Sequence, residues 1–553
     1  YMLYEIQDYT DSTDVKLPSF KKKRYSSEMN LNIAGSKTLS VSVANNEDFN
    51  LDQTLFLRIN GDLNKNLRIE AQLSDSQSPI TPEGNSRELS NLDQIYMKLF
   101  GKNFEIAFGD LELKFEDTQF INYAPQFEGL RASWYGRNKF SGALAVSTGK
   151  NYSVEFFAQE AKQGPYYLQV DGSINVMIIP GSEEVFLNGI KIYRGSDYTI
   201  DYSEGSISFT QKHFITSSTH IASLFQYSDE NYRNNLYLNS SDIHLFGPVS
   251  FRNHIIISND DENNPLLEVF SDSDLDSLET GGDSEIFGVG IFLVEAGEGS
   301  YEYNDDGYFY YAETDTTGNY NIHFENVGSG NGSYNVSESG DYFVFAGESL
   351  GSYEPVKRLY SPEKLANYDF SLDFKSDYFS AETEGIFSTY DKNSFSEKDD
   401  DDNIGYAFYT GIKLTPNLDF VNPELNVFYR KLSENLETFA ELNDRKINYE
   451  LPTLPDTTET DEISGKLSLN VNELWQPSII YSNKNARQIA TQKYLSFNSK
   501  LKQMIYSPML NYRFVQLNQY FDKYNAAKQS IIHDVSSSYK VKLIEFKNSG
   551  YYR

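Results

Sequence analysis

Residues 368–375 read Tyr-Asp-Phe-Ser-Leu-Asp-Phe-Lys, with an aromatic or aliphatic side chain at every even position and a polar one at every odd position. Only a β-strand with two different faces has this period of two. The same alternation recurs at 55–60, 67–73, 404–414 and 463–471. Long strands with one apolar face are what a transmembrane barrel requires, because lipid offers no partner for unpaired backbone groups.

The aromatic content supports a barrel. The 553 residues include 42 Tyr and 38 Phe but only 2 Trp, and such an excess fits the aromatic girdles at the two membrane interfaces. A soluble all-β protein rich in cross-strand aromatic pairs is the alternative, since period two alone does not separate the two. We predict an all-β fold: a large antiparallel transmembrane β-barrel of roughly 18 to 26 strands, with an inserted small β-domain and a β-hairpin repeat region.

Charge and composition exclude several classes of function. The sequence has no apolar run long enough for a transmembrane helix and no cysteine, so disulfides and thiol chemistry are absent. The net charge of -33 argues against nucleic acid as a partner, because phosphate binding needs Lys and Arg. We therefore expect an acidic protein of the bacterial outer membrane, in contact with membrane lipid.

The periodicity changes along the chain and predicts six segments. Strands of four to six residues around the turn dipeptide Asn188-Gly189 are too short to cross a bilayer. Gly297-Glu298-Gly299-Ser300-Tyr301 recurs 33 residues later as 330–334, and a shorter copy follows at 351–353. The predicted segments are an N-terminal tail (1–25), barrel strands (26–163), an inserted short-strand β-domain (164–229), barrel strands with an acidic loop (230–294), Gly-Ser-Tyr hairpin repeats (295–360) and barrel strands (361–553).

Motifs for catalysis or metal binding are sparse. Asp272, Asp274 and Asp276 have the spacing that begins an EF-hand loop, which makes them a candidate calcium site. A solvated acidic loop is the alternative, because position six is Ser277 and position twelve is Asp283. The nucleophile-elbow pattern at 347–351 is followed by Tyr-Glu-Pro where an elbow needs a helix. We expect no enzymatic activity and no cofactor other than this calcium.

Three stretches resemble a known group of proteins. They are LFLRINGDLNKNLRIEAQLSDSQSPITPEGNSRELSNLDQIYMKLFGKNFEIAFGD (55–110), PGSEEVFLNGIKIYRGSDYTIDYSEGSISFT (180–210) and the GNGSY repeat. All three resemble segments of large outer-membrane proteins of Bacteroidota and related phyla. The layout of the first 230 residues is more distantly similar to the barrel of the type IX secretion translocon. The ending Tyr551-Tyr552-Arg553 departs from the terminal aromatic that usually closes a bacterial barrel, which leaves open whether the chain is part of a longer protein.

Two functions follow from these predictions. A large barrel favours a non-enzymatic channel for transport or secretion, with other envelope or secretion proteins as candidate partners. In that case the lumen is lined by polar residues that include Arg58, Arg68, Glu70, Asp369, Asp373 and Lys466. The alternative is a cell-surface binding or structural protein, whose strands anchor the inserted domain and the repeats. A lumen filled by side chains would favour the anchor.

Overall fold

The computed structural model describes residues 30–552 with gaps. Nothing is stated below about residues 1–29, 43–49, 78–94, 113–114, 116–117, 122–125, 148, 171–175, 228–230, 267–268, 313–317, 419, 440–458, 472–473, 488, 504–507, 522–525, 542–543 and 553. The predicted tail (1–25) therefore lies outside the described residues. No helix in the described part of the chain is long and apolar enough to cross a membrane.

The chain first builds seven strands of one large sheet. Their bounds are β1 Asn30–Ser42, β2 Asn50–Asn64, β3 Leu67–Gln77, β4 Ile95–Phe100, β5 Phe104–Glu112, β6 Gln126–Tyr135 and β7 Lys139–Ser147. Each strand pairs antiparallel with the next one in the sequence.

A small domain with its own core follows. Its seven strands form a four-stranded sheet (β11-β10-β14-β8) and a three-stranded sheet (β12-β13-β9) around buried side chains such as Leu168, Ile207 and Ile221. The bounds are β8 Lys150–Phe157, β9 Tyr166–Tyr167, β10 Glu184–Leu187, β11 Ile190–Ile192, β12 Tyr198–Asp201, β13 Ser206–Phe209 and β14 His220–Tyr227. The structure differs here from the expected boundary at 164, because β8 pairs with β14 and not with a strand of the large sheet.

Two more strands of the large sheet lead into a second insertion. These strands are β15 Tyr232–Phe246 and β16 Val249–Pro265. The insertion contains α1 Asp272–Gly281 and the strands β17 Ile286–Val289, β18 Ile291–Leu293, β19 Tyr301–Tyr303, β20 Phe309–Tyr311, β21 Tyr320–Ile322, β22 Glu325–Asn326, β23 Tyr334–Val336, β24 Phe343–Phe345, β25 Tyr353–Glu354 and β26 Val356–Leu359. We call residues 286–359 the hairpin module.

The remaining ten strands complete the large sheet. They are β27 Lys364–Lys375, β28 Phe379–Asp391, β29 Ile404–Leu414, β30 Val421–Leu432, β31 Thr460–Val471, β32 Trp475–Ala486, β33 Ala490–Leu501, β34 Met509–Phe521, β35 Ala526–Val541 and β36 Ile544–Tyr552, with a 3₁₀ turn at Asp400–Asp402. In the described residues the sheet has 19 strands, and its pairings do not join β1 to β36.

The two faces of this sheet differ as the alternation predicts. In β27 and β29 the predicted apolar face carries exposed side chains such as Phe370, Leu372 and Ile412, whereas Asp369 and Ala407 on the other face are buried. An exposed apolar face that extends over many strands is stable in lipid and not in water. The all-β, transmembrane-barrel prediction is therefore confirmed as a fold class, although the described sheet is not closed.

The connections define the orientation of the sheet. From β2 to β31 one end carries the short turns 65–66, 101–103, 136–138, 247–248, 376–378 and 415–420. The opposite end carries longer connections, among them 148–231, 266–363 and 392–403. Outer-membrane barrels have short periplasmic turns and long extracellular loops, so we expect both inserted units to lie at the extracellular end.

Candidate functional site

The inward face of the barrel sheet is polar and charged. Residues that lie opposite one another on neighbouring strands point to the same face of the sheet. One such row begins at Glu70, continues through Lys98, Ala107, Arg131 and Ala143, and reaches the buried face of β15, β16 and β27. Because the side-chain period is two, one such row fixes the face of every residue in these strands. All six residues predicted to line the lumen share this face: Arg58, Arg68, Glu70, Asp369, Asp373 and Lys466.

Ion pairs brace the wall of the lumen. Arg252 on β16 donates to both oxygens of Asp373 on β27, at 2.8 and 3.1 Å, and to Glu382 on β28 at 3.2 Å. Arg131 on β6 pairs with Glu105 on β5 through one guanidinium nitrogen. A guanidinium suits such sites because its planar donors match a carboxylate in two places. The pairs stabilise neighbouring strands and leave the lumen with fixed charges of both signs.

A short stretch between β5 and β6 enters the lumen. We call Phe115 together with residues 118–121 the lumen segment. The backbone N–H groups of Gln119 and Phe120 donate to Oε1 of Glu384, at 2.7 and 3.2 Å. Glu384 lies in the middle of β28 and is fully buried. One buried carboxyl oxygen thus satisfies two backbone donors of the segment, and leaving buried donors without a partner costs free energy.

Apolar packing holds the lumen segment against the wall. Phe115, Phe120 and Ile121 are buried, and their cluster includes inward side chains of seven strands: Ala107, Ala143, Leu236, Leu238, Ile256, Ile386, Ala407, Tyr409 and Leu432. Barrel lumens are usually polar, so an apolar core inside this one is unexpected. It occludes the part of the lumen enclosed by β5–β7, β15, β16 and β27–β30.

A second stretch, 433–439, folds over the inner wall beside the first. Asn367 on β27 donates to the carbonyl of Glu437 at 2.9 Å and accepts from the N–H of Phe439 at 3.2 Å. The N–H of Glu437 donates to the Ser388 hydroxyl at 3.2 Å. These side-chain bonds replace the strand partners that the stretch lacks. The extracellular half of the lumen is thus covered from two sides.

A cavity of about 280 Å³ remains at the extracellular mouth. It lies where the chain enters the inserted domain, and Lys150 there bridges Asp260 at 3.2 Å and Glu363 at 3.1 Å. Aromatic and polar side chains complete the lining: Tyr152, Asn234, Ser258, Tyr390, Glu437, Thr438 and Phe439. The cavity therefore combines polar and aromatic side chains with one lysine and two glutamates, and Leu236 and Leu365 add apolar surface.

His254 is the inward residue that the sequence analysis missed most clearly. It lies opposite Asp369 across the β16–β27 pair and its ring meets Phe115 edge to face at 5.2 Å between centroids. Within the described residues neither ring nitrogen has a hydrogen-bond partner. Nothing in the sequence around His254 marks this residue as buried, and only the structure shows that the lumen segment covers it.

The three aspartates of the candidate calcium site lie on a helix. Asp272, Asp274 and Asp276 occupy the start of α1, where we expected a loop, because Ser271 and Asp274 form a capping box and acidic residues suit a helix N-terminus. The Asp274 carboxylate accepts the Ser271 N–H and pairs with Lys357, whose Nζ lies 3.1 Å away. Among the described residues no group of three or more His, Cys, Asp or Glu could hold a metal ion.

The Gly-Ser-Tyr repeats form two equivalent hairpins that face each other. Tyr301 on β19 pairs with Tyr311 on β20, and Tyr334 on β23 pairs with Phe345 on β24. The Tyr334 hydroxyl accepts the Phe309 N–H at 2.9 Å, and the Tyr301 hydroxyl accepts the Phe343 N–H at 2.9 Å. This exchange of bonds makes the module a pseudo-twofold pair.

Ring stacking repeats the same symmetry. Tyr308 stacks on Phe345 at 4.4 Å, and Tyr311 stacks on Tyr342 at 4.5 Å. The short third copy at 351–353 is not a hairpin of its own. Gly351 forms a β-bridge with Gly332, and this bridge corresponds to the one between Gly318 and Gly299 in the first repeat. The sequence repeat is thus a duplication of one four-stranded unit.

The inserted domain contains two buried polar networks. Asp197 accepts from Lys212 at 2.6 Å, Tyr193 N–H at 3.0 Å and His213 at 2.8 Å, and these bonds, that from Lys212 first, hold the pKa of its carboxyl well below the usual range. In the second network Tyr202 donates to Glu183 at 3.1 Å. Burial, and then the charge of Glu183, raise the pKa of Tyr202 to about 12. Both networks connect separate turns and strands of the domain.

A family model matches the inserted domain and extends no further. It is a domain of unknown function (DUF8818), and it covers residues 151–229, which agrees with the strands β8–β14. No curated protein matches the chain.

Solved structures that resemble the chain are outer-membrane proteins. OpdQ of Pseudomonas aeruginosa is 8% identical, with a TM-score of 0.31 and coverage of 94% of this chain and 96% of its own. Wzi of Escherichia coli, described as a carbohydrate-binding β-barrel involved in capsule assembly, is 9% identical, with a TM-score of 0.28 and coverage of 91% and 82%. OmpT of Vibrio cholerae is 5% identical, with a TM-score of 0.27 and coverage of 83% and 89%. TM-scores this low carry no argument by themselves.

The class of protein is defined by the sheet itself. An antiparallel meander with a charged inner face, an exposed apolar outer face and long connections at one end is the architecture of an outer-membrane β-barrel. The chain is therefore a β-barrel protein of the bacterial outer membrane.

Proposed function

We propose that the protein is a non-enzymatic, gated channel of the outer membrane, and that the lumen segment is its gate. The observation that carries this proposal is the anchoring of Gln119 and Phe120 on the buried carboxylate of Glu384. The lumen wall carries the fixed charges expected of a polar passage. The closing element is joined to that wall by packing and hydrogen bonds, which can break and re-form.

The resemblance to outer-membrane proteins of Bacteroidota supports this proposal. The more distant similarity to the type IX translocon is the only support for a role in secretion, so transport of a polar solute is the form of the proposal that the lumen favours. A surface anchor is the second candidate. It is favoured by the apolar packing of Phe115, Phe120 and Ile121 inside the lumen, because a filled barrel does not need to conduct.

Planar-bilayer conductance separates the two candidates. Glu384→Ala removes the acceptor of both backbone N–H bonds, so a gated channel should open about tenfold more often than the unmodified protein. Glu424→Ala is the matched control, because this carboxylate lies on the same inner face and pairs with Lys413 at 3.1 Å, away from the lumen segment. Glu384→Gln keeps a neutral acceptor and should give an intermediate effect.

The outcomes are distinct. Openings that increase with Glu384→Ala and not with Glu424→Ala support the gate. If the unmodified protein and the Glu384→Ala variant both insert correctly and neither conducts, the protein is an anchor and not a channel. Equal increases with both variants would show that any lost inner charge opens the barrel, and the lumen segment would then not be the gate.

A further inference from the structure

The hairpin module has one sheet face that its duplicate does not reproduce. In the first repeat the strand order is β18-β21-β19-β20, and four side chains share the face turned away from the buried core of the module. These are Phe292 opposite Asn321, and Glu302 opposite Tyr310. Phe292 is 50% exposed and Tyr310 is 42% exposed, so two aromatic rings stand on this face with an amide and a carboxylate between them. We call it the aromatic face.

The second repeat provides an internal comparison. An offset of 33 residues matches Phe292 with Glu325, Asn321 with Glu354 and Glu302 with Asn335, and the longer hairpin turn matches Tyr310 with Val344. The core positions of the two repeats are kept: Tyr301 with Tyr334 and Tyr320 with Tyr353. The duplicated fold therefore does not require the aromatic pair.

The carboxylates of the second face are also used within the module. Glu354 accepts from Ser333 at 2.6 Å and Glu325 lies 3.3 Å from His323. On the first face the Glu302 carboxylate likewise accepts the Tyr310 hydroxyl, whereas Phe292 is exposed without a ring contact among the described residues. Large rings exposed on one duplicate alone are expected of a contact surface, because solvent-exposed aromatics otherwise gain nothing from their position.

Charge defines what this surface can accept. Every charged residue between Gly290 and Val356 is Asp or Glu, with His323 as the one titratable base in that stretch of sequence. An anionic partner would be repelled, whereas a cationic one is attracted before contact and held after it. Tyr and Phe rings bind Arg and Lys side chains over their faces, and an adjacent carboxylate adds an ion pair.

From these observations we propose that the aromatic face is an extracellular docking surface for a positively charged polypeptide segment. Phe292 and Tyr310 hold guanidinium or ammonium groups over their rings, and the Glu302 carboxylate, beside its bond from the Tyr310 hydroxyl, accepts their N–H groups. The surface stands at the extracellular end of the barrel, because the module connects β16 to β27 on the side of the long connections. This docking surface is independent of whether the barrel conducts.

The test measures binding of a fluorescent nona-arginine peptide to the full protein in detergent. Phe292→Ala with Tyr310→Ala keeps the net charge and should weaken binding about tenfold, since each exposed ring contributes a modest cation–π term. Val336→Ala with Val344→Ala is the matched control, because it removes two exposed side chains from the second repeat at the same net charge. Its binding should stay within about twofold of the unmodified protein.

Two further measurements make the result decisive. Glu302→Gln should weaken binding and reduce its dependence on salt, because one ion pair is lost. Amide exchange at Phe343, which is bonded to Tyr301, reports whether the variants keep the module folded. Equal affinity of the aromatic and control variants would overturn the proposal in favour of unspecific attraction to an acidic protein. Salt-independent binding of maltohexaose through the same rings would overturn it in favour of a neutral sugar.

Discussion

Oε1 of Glu384 accepts the backbone N–H of Gln119 at 2.7 Å, and this bond fastens the lumen segment to the inner wall of the barrel. Ile121, two residues further, is completely buried. The sequence has no cysteine, so Ile121→Cys introduces a unique thiol that reports on the segment. We expect slow reaction of this thiol with a water-soluble maleimide, because the closed segment shields it.

Adding Glu384→Ala should raise the labelling rate of Ile121→Cys about tenfold, since the loss of a buried hydrogen-bond acceptor favours the detached state by that order. Adding Glu424→Ala should leave the rate unchanged. Fast labelling in the single variant would mean that the segment is detached already, and the closed lumen would then not be the resting state.

The sequence predicted the barrel wall better than its contents. Alternation depends on neighbouring residues, so the faces of Phe370 and Asp369 could be assigned from their own strand. The lumen segment depends on a contact between Gln119 and Glu384, which are 265 positions apart. The only local sign of the lumen segment in the sequence is the loss of alternation after Leu111, and loops of many different structures show the same loss.

The repeats and the acidic stretch show the same limit. Equal spacing predicted two equivalent hairpins. It did not predict that each tyrosine hydroxyl bonds to the other hairpin, Tyr301 to Phe343 on β24 and Tyr334 to Phe309 on β20. The EF-hand spacing of Asp272 predicted a loop, whereas the capping pair of Ser271 and Asp274 starts a helix there. A helix signal and a loop signal coincided in that stretch, and the capping bonds decided between them.

The reciprocal tyrosine bonds give a prediction about local stability. Tyr301→Phe removes the acceptor of the Phe343 N–H, and Tyr334→Phe removes that of the Phe309 N–H. Each change leaves one largely buried donor unsatisfied and should cost the module about 1–3 kcal/mol. Hydrogen exchange should accelerate first at Phe343 in one variant and first at Phe309 in the other. Tyr303→Phe, whose side chain is exposed, is the control, and an effect as large as the others would contradict the assignment.

The inserted domain should depend on pH through Asp197. Its hydrogen bonds, with that from Lys212 first, lower the pKa of the carboxyl in the folded domain. The ionised form is therefore favoured by folding, and its stabilisation is complete above the unfolded pKa of about 3.9 and is lost as the pH falls toward the lowered folded value. Asp197→Asn should lower the melting temperature of the domain at neutral pH. The difference in melting temperature from the unmodified protein should shrink below about pH 4.

Protease resistance of residues 150–227 in the full protein can report this melting. Glu204→Gln is a suitable comparison, because this side chain is exposed in a turn of the same domain. A constant difference between Asp197→Asn and the unmodified domain from pH 7 to pH 3 would show that the Asp197 charge does not stabilise the domain.

The orientation of the barrel can be tested on intact cells. Leu293→Cys lies on an exposed strand of the hairpin module, and Lys102→Cys lies in the short exposed turn between β4 and β5. Long connections mark the extracellular end, so a maleimide that does not cross membranes should label position 293 and leave position 102 unlabelled. Both should react once the outer membrane is permeabilised, which controls for the reactivity of each thiol. Labelling of position 102 alone would show that the barrel has the opposite orientation in the membrane. The aromatic face of the module would then meet periplasmic partners.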